Sequence, residues 1–298
     1  MKKISTYLPS LIISVLLVFV FIISSAAMLV DINISSEKLK GLVSKKELEP
    51  MIISEVGKYY ADKYNTSGIP ADVYTDAIDN EYIRSFEMAY IDSAFNALKG
   101  NGRMVMTPPS NKALEENIEK FFNDFAEENN YEKDDKFEQK LQNTKDNAYA
   151  AIGSFCDVYK FSAMNDRGVL KKLALLYSNR IIATVALLGA TLLLILLLIA
   201  VNHKKRITAV YWCGISAIIA GVMGGTPSIY LIATKYFDSF IIKQAPVFTA
   251  FTSVMYKLTE AFTAVMIAFI VIGITLSVIY GVTHEKKKYP NTKPTDIK

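Results

Sequence analysis

The chain has 298 residues, 51% of them hydrophobic and 21% charged, with a formal net charge of +4, two histidines and two cysteines. Both histidines, His203 and His284, sit beside basic clusters, and residues 31–180 contain none, so neither a Ser-His-Asp triad nor a His-based zinc site can be built in that segment. The positive balance is split among short clusters flanking apolar runs, which makes it a topology signal and excludes a folded basic surface for nucleic acid.

Residues 8–30 form the first apolar run, preceded by Lys2 and Lys3. It exceeds the roughly 20 residues that a helix needs to cross the bilayer core, and only a helix or a closed barrel satisfies its backbone there. Ser24, Ser25, Ala26 and Ala27 after an apolar stretch also resemble a signal-peptide cleavage region. The run continues through Met28, Leu29 and Val30, beyond the length of a usual signal core, so an uncleaved anchor is the expectation and cleavage the alternative.

Residues 31–178 read as an extracytoplasmic helical domain. A helix is expected within 35–64, with Pro50 marking a kink or restart and Gly68 near its end. Val73, Tyr74, Ala77, Ile78, Tyr82, Phe86 and Tyr90 then recur every three to four residues, predicting one helix from Pro70 to the Gly100-Asn101-Gly102 stop. Asp72, Asp76 and Asp79 share a face of that helix. They read as a solvated surface, because a helix lacks the wrap-around geometry of a calcium loop. Leu114, Ile118, Phe121, Phe122 and Phe125 mark a further helix, whose early Glu115, Glu116 and Glu119 suit the positive end of its dipole. Phe137, Leu141, Thr144, Ala148, Ala151, Phe155, Val158 and Ser162 form a stripe in alternating steps of four and three, the seam of a bundle or coiled coil. The expected domain is an up-and-down bundle of about four helices, with a hinge at residues 165–168 before the next apolar run. Cys156 falls in this domain and Cys213 in the third apolar run, so no intramolecular disulfide is expected.

Residues 179–283 hold three further apolar runs, 181–201, 207–233 and 261–283. Residues 202–206 form a short inner link containing Lys204, Lys205 and Arg206, and residues 234–260 an apolar outer loop too rich in Tyr and Phe for a solvated linker. The third run carries Gly221, Gly225 and Pro227, a small-residue face with a kink that suits close helix packing. No run has a central ionisable residue, the usual mark of an ion or proton path. Tyr211 and Trp212 fit an interfacial aromatic belt.

Residues 284–298 form a basic tail with Lys286, Lys287 and Lys288. Lysine and arginine accumulate on the cytoplasmic side. The three clusters therefore place both termini in the cytoplasm of a plasma-membrane protein and residues 31–180 outside, where 25 Asp+Glu face 20 Lys+Arg. The fold class is an all-α membrane protein with four transmembrane helices and a helical domain between the first and second.

No catalytic, cofactor-binding or metal site is expected. The inner segments are too short for a signalling domain, so any message must leave through another membrane protein. The expected function is a non-catalytic cell-envelope protein whose outer domain binds a ligand or partner. Its spans contact membrane lipid and a membrane-protein partner or a second copy. The order of one span, a large polar domain and three more spans resembles the permease subunits of ATP-driven mechanotransmission complexes. That resemblance implies a cytoplasmic coupling helix between the second and third spans, where this sequence has only residues 202–206. A transporter or channel subunit is the alternative.

Overall fold

The computed structural model describes residues 6–288, so Lys2, Lys3 and the tail beyond 288 lie outside the described residues. The described residues contain eleven α-helices and two 3-10 turns, with no strand among them. Four helices are long and apolar enough to cross a membrane: Tyr7–Asn33, Val169–Val201, Ile207–Ala233 and Ala245–His284. The chain divides into two compact units.

The polar unit comprises Ile34–Ser178 and Phe240–Met255. It opens with α2 (Ser36–Lys46) and α3 (Glu49–Ser67), with Pro50 in the first turn of α3. Proline lacks an N–H that would be unpaired there anyway, so it restarts the helix. The single helix expected from Pro70 to Lys99 is broken. α4 spans Asp72–Thr75 and α5 spans Asn80–Lys99. The cause is Asp79, whose extended backbone lets its carboxylate accept from the Tyr82 N–H at 2.7 Å and cap α5. Asp79 thereby leaves the face expected to hold Asp72 and Asp76.

α6 (Lys112–Glu128) is capped by Asn111, whose side-chain N–H also donates to the Ala77 carbonyl at 2.7 Å. α7 (Asp135–Cys156) is capped by Asp134. It buries Phe137, Leu141, Ala148, Ile152, Gly153 and Cys156. Of the expected stripe, Phe137, Leu141 and Ala148 are buried and Thr144, Ala151 and Phe155 half-buried, while Val158, which is buried in the core, and Ser162 lie past the helix end. α8 (Phe161–Asp166) follows, and its first turn donates to Asp157, which accepts from the N–H groups of Phe161 and Ser162 at 2.8 Å each. Gly168, at φ +67°, ends this segment, and α9 (Val169–Val201) begins directly after it.

One cluster unites the unit's core: Leu39 from α2, Leu48 from the link after it, Ile52 from α3, Ile83, Phe86 and Phe95 from α5, Leu114 and Ile118 from α6, and Ile152 from α7. Gly153 makes the α5–α7 approach possible, since a Cβ there would lie 3.0 Å from the Phe86 ring. Around the core, Arg84 binds Glu49 at 2.6 Å, and Asp92 accepts from Lys40 at 2.5 Å and Ser36 at 2.8 Å. Burial alone would raise the Asp92 pKa, but these two hydrogen bonds and the lysine charge hold it below the usual value.

The apolar loop expected over 234–260 is mostly helix. A 3-10 turn covers Tyr236–Ser239, and α11 runs from Ala245 to Lys288. Pro246 is compatible with a first helical turn, and no breaker follows it until the spanning segment. Ala250 is buried in the polar unit's core, with Val254 packed against it.

The apolar unit contains α1 (Tyr7–Asn33), α9 from Asn179, α10 (Ile207–Ala233) and α11 from Tyr256. A cluster of Leu17, Leu198, Ala209 and Trp212 joins α1, α9 and α10. Hydroxyls reinforce it: Ser14 lies 2.9 Å from the Ser216 hydroxyl, and the Asn202 amide donates to Ser10 at 2.9 Å. Such bonds between spans average roughly 0.6 kcal/mol, so they fix register more than they add stability. At the other end of α1, Asp31 accepts from Thr184 at 2.6 Å and pairs with Arg180 at 3.6 Å. In the spanning window of α10, 44% of residues are buried, against 6% in α9. The link between α9 and α10 is a single 3-10 turn, His203–Lys205.

Candidate functional site

The polar unit carries a concavity of about 480 Å³ between α3, the turn before α4, and α7. α3 contributes Tyr59, Tyr60 and Lys63, α4 contributes Tyr74, and α7 contributes Thr144 and Asn147. Tyr60 and Tyr74 stack face to face, with centroids 3.7 Å apart and planes at 9°. Tyr59 meets the edge of Tyr60 at 5.1 Å and of Phe155 at 5.6 Å. The Lys63 ammonium stands 5.8 Å above the Tyr59 ring, within reach of a cation–π attraction.

The Tyr60 hydroxyl is buried without a hydrogen-bond partner. Burial first, and then its tyrosine neighbours, push its pKa up, while burial takes Tyr74 to about 12. Both phenols are therefore neutral donors at physiological pH. The lining has a cation at Lys63 and no carboxylate, on a unit that is otherwise acid-rich.

A second feature lies inside the bundle. Glu87 on α5 is 1% exposed, and neither carboxylate oxygen has a partner. Burial, then the nearby Glu49 charge, raise its pKa to about 8 against the opposing pull of Arg84. The Tyr159 hydroxyl is likewise buried and unpartnered, and its pKa is raised by burial and by Glu87. An acidic hollow of about 260 Å³ includes Asp72, Asp76 and Asp124 together with Lys120. No group of three His, Cys, Asp or Glu among the described residues is placed to hold a metal ion.

In the apolar unit the residues singled out by sequence separate. Gly221 touches α11 so closely that a Cβ would fall 2.6 Å from the Met266 carbonyl and 2.5 Å from Ile270. At Gly225 the same atom would make ordinary contact, 3.4 Å from Met266. Pro227 lies inside α10 and lines a mostly apolar groove of about 370 Å³ with Ile22, Gly224 and Phe262. Gly214 and Gly273, which the sequence reading did not pair, face each other across α10 and α11, with a Gly273 Cβ placed 2.6 Å from the Gly214 carbonyl. The tyrosine concavity was also missed. Its residues come from three elements, and the only local signal was the adjacent pair Tyr59-Tyr60.

No protein-family model, curated protein or solved structure matches this chain.

Proposed function

We propose that the chain is a non-catalytic protein of the cell envelope whose polar unit binds a ligand or a partner protein outside the cell. The four apolar helices anchor it in the plasma membrane and pack against lipid and a membrane-protein partner or a second copy. Both termini are cytoplasmic in this reading, following Lys2, Lys3, Lys204, Lys205, Arg206 and Lys286–Lys288. The observation that carries it is a polar helical unit with its own core and a tyrosine-lined concavity, borne by a chain with four apolar helices. A permease-like transporter or channel subunit is the alternative, with the glycine-rich α10 as the moving element. The single turn at His203–Lys205 weighs against it, because it offers little surface to a cytoplasmic ATPase.

A membrane-impermeant cross-linker applied to intact cells tests the reading. The expected result is a defined adduct through exposed lysines of the polar unit, with no ATPase in the purified complex. A stoichiometric ATPase in that complex would establish the transport alternative instead.

A further inference from the structure

The most exposed large apolar side chain among the described residues is Ile241, at 96%. It lies in the short segment between the 3-10 turn Tyr236–Ser239 and α11. There the Ile242 N–H donates to the Phe240 carbonyl at 3.1 Å, a γ-turn that carries Ile241 at its tip. Tyr236 and Phe240 nearby are partly exposed, and the exposed Lys235 and Lys243 flank the segment.

The height of this tip follows from its attachments. The Tyr256 hydroxyl donates to Asp238 at 2.9 Å, and the Phe237 ring, itself buried, meets the Tyr256 ring at 5.1 Å. All three residues belong to the apolar unit. Tyr256 precedes Glu260, the last charged residue before the apolar run 261–283, by one helical turn, about 6 Å. The polar layer on each face of a bilayer's hydrocarbon core is itself about 5–7 Å deep. In a chain whose apolar helices span, the 3-10 turn therefore stands among the headgroups. Ile241 follows Ser239 by two residues, at most about 7 Å of chain.

A protein partner would need far more than one isoleucine and two part-exposed rings, because a stable interface buries roughly 800 Å² on each side. A bilayer sets no such minimum. It takes a single apolar tip among its acyl chains, tyrosine suits its interface, and lysine stems carry their charge out to the phosphates. We propose that residues 240–242 form a lipid-inserting loop, with Ile241 set into the outer leaflet beside the end of α10 and Lys235 and Lys243 at its phosphates. The proposal rests on the reading of the apolar helices as spans. It adds a lipid contact outside them, one that ties the connection between α10 and α11 to the membrane surface.

The full chain in lipid nanodiscs provides the test, with Cys213→Ala removing the half-buried thiol and the buried Cys156 left in place. Ile241→Cys carries an environment-sensitive fluorophore, at a position too exposed for the substitution to disturb packing. Leu193→Cys, on an exposed face of α9, carries the same label and reports whether the helix spans. The label at 241 should lose most of its emission when the lipids bear a spin label near the headgroup end of the acyl chain. It should keep its emission in iodide. Iodide quenching at 241 without lipid quenching, while the label at 193 responds to spin-labelled lipid, would put the loop in water and overturn the proposal. Protection at 241 from both quenchers would mean that a protein surface covers Ile241, and would overturn it equally. No lipid quenching at either position would remove the spans themselves and the loop proposal with them.

Discussion

Glu87 is the residue where the polar unit is most sensitive to its surroundings. Its carboxyl has no partner and a folded-state pKa near 8, against 4.5 for the free group. An acid whose pKa is raised by folding contributes its full stability below about pH 4.5. It loses that contribution as pH climbs toward 8, at roughly 1.4 kcal/mol per pH unit. Glu87→Gln imitates the protonated form. Thermal melting should therefore show the substituted protein losing less stability than the native one between pH 5 and pH 8, with a gain of a few kcal/mol at the upper end. Parallel pH profiles would show that Glu87 stays charged or is hydrated. Two aromatic residues give a second comparison. Phe86 is fully buried, so Phe86→Ala should cost roughly 3–5 kcal/mol, whereas Phe155→Ala, at a half-buried position, should cost clearly less by the same denaturation measurement. None of this ranking was readable from periodicity. Phe155 stands on the heptad stripe and Glu87 carries a charge, yet the packing of α5 buries the glutamate and leaves the phenylalanine at the edge.

Helices were legible where an apolar stripe repeats and less so at their ends. The stripe of α7 appears in the sequence as Phe137, Leu141 and Ala148, and the structure buries all three. The break before α5 does not appear there, because apolar spacing continues smoothly across it while one carboxylate at Asp79 redirects the backbone. The apolar stretch after residue 234 was misread for the opposite reason. Ala250 and Val254, four residues apart, pack on the polar unit's core, but no charged residue occurs from Ala245 to Tyr256, so the sequence shows no polar face to mark the start of α11. For α10 the sequence identifies small residues without their register. Gly221→Leu would force its side chain into the Met266 carbonyl and Ile270, and should reduce the amount of folded, inserted protein severalfold. Gly225→Leu meets open or ordinary contact and should be tolerated far better. Size-exclusion profiles of the two variants from matched membranes measure this difference, and equal losses would mean that α10 presents another face to α11.

At the scale of the whole molecule, the four apolar helices and the polar unit were both foreshadowed by hydropathy alone. Their division was not, since α9 and α11 each contribute residues to both units. The proposed orientation has a direct check. Lys120→Cys should react with an impermeant maleimide in intact cells and Asn291→Cys only after permeabilisation. The reverse pattern would invert every compartment assigned above.

The native chain already contains a thiol in the polar unit, and its placement matters to that experiment and beyond it. Cys156 is 1% exposed at the last turn of α7, and burial, aided by the nearby Glu87 and Asp157 charges, pushes its pKa well above 9. The helix end adds its own negative potential against a thiolate. Oxidants and disulfides are attacked by the thiolate form, so burial and the raised pKa both disfavour reaction at this cysteine while the unit is folded. In the oxidising compartment to which the proposed orientation assigns this unit, a lone sulfhydryl ordinarily invites scrambling or covalent dimers. Here the packing itself serves as the protecting group, and reactivity at Cys156 becomes an alarm for unfolding.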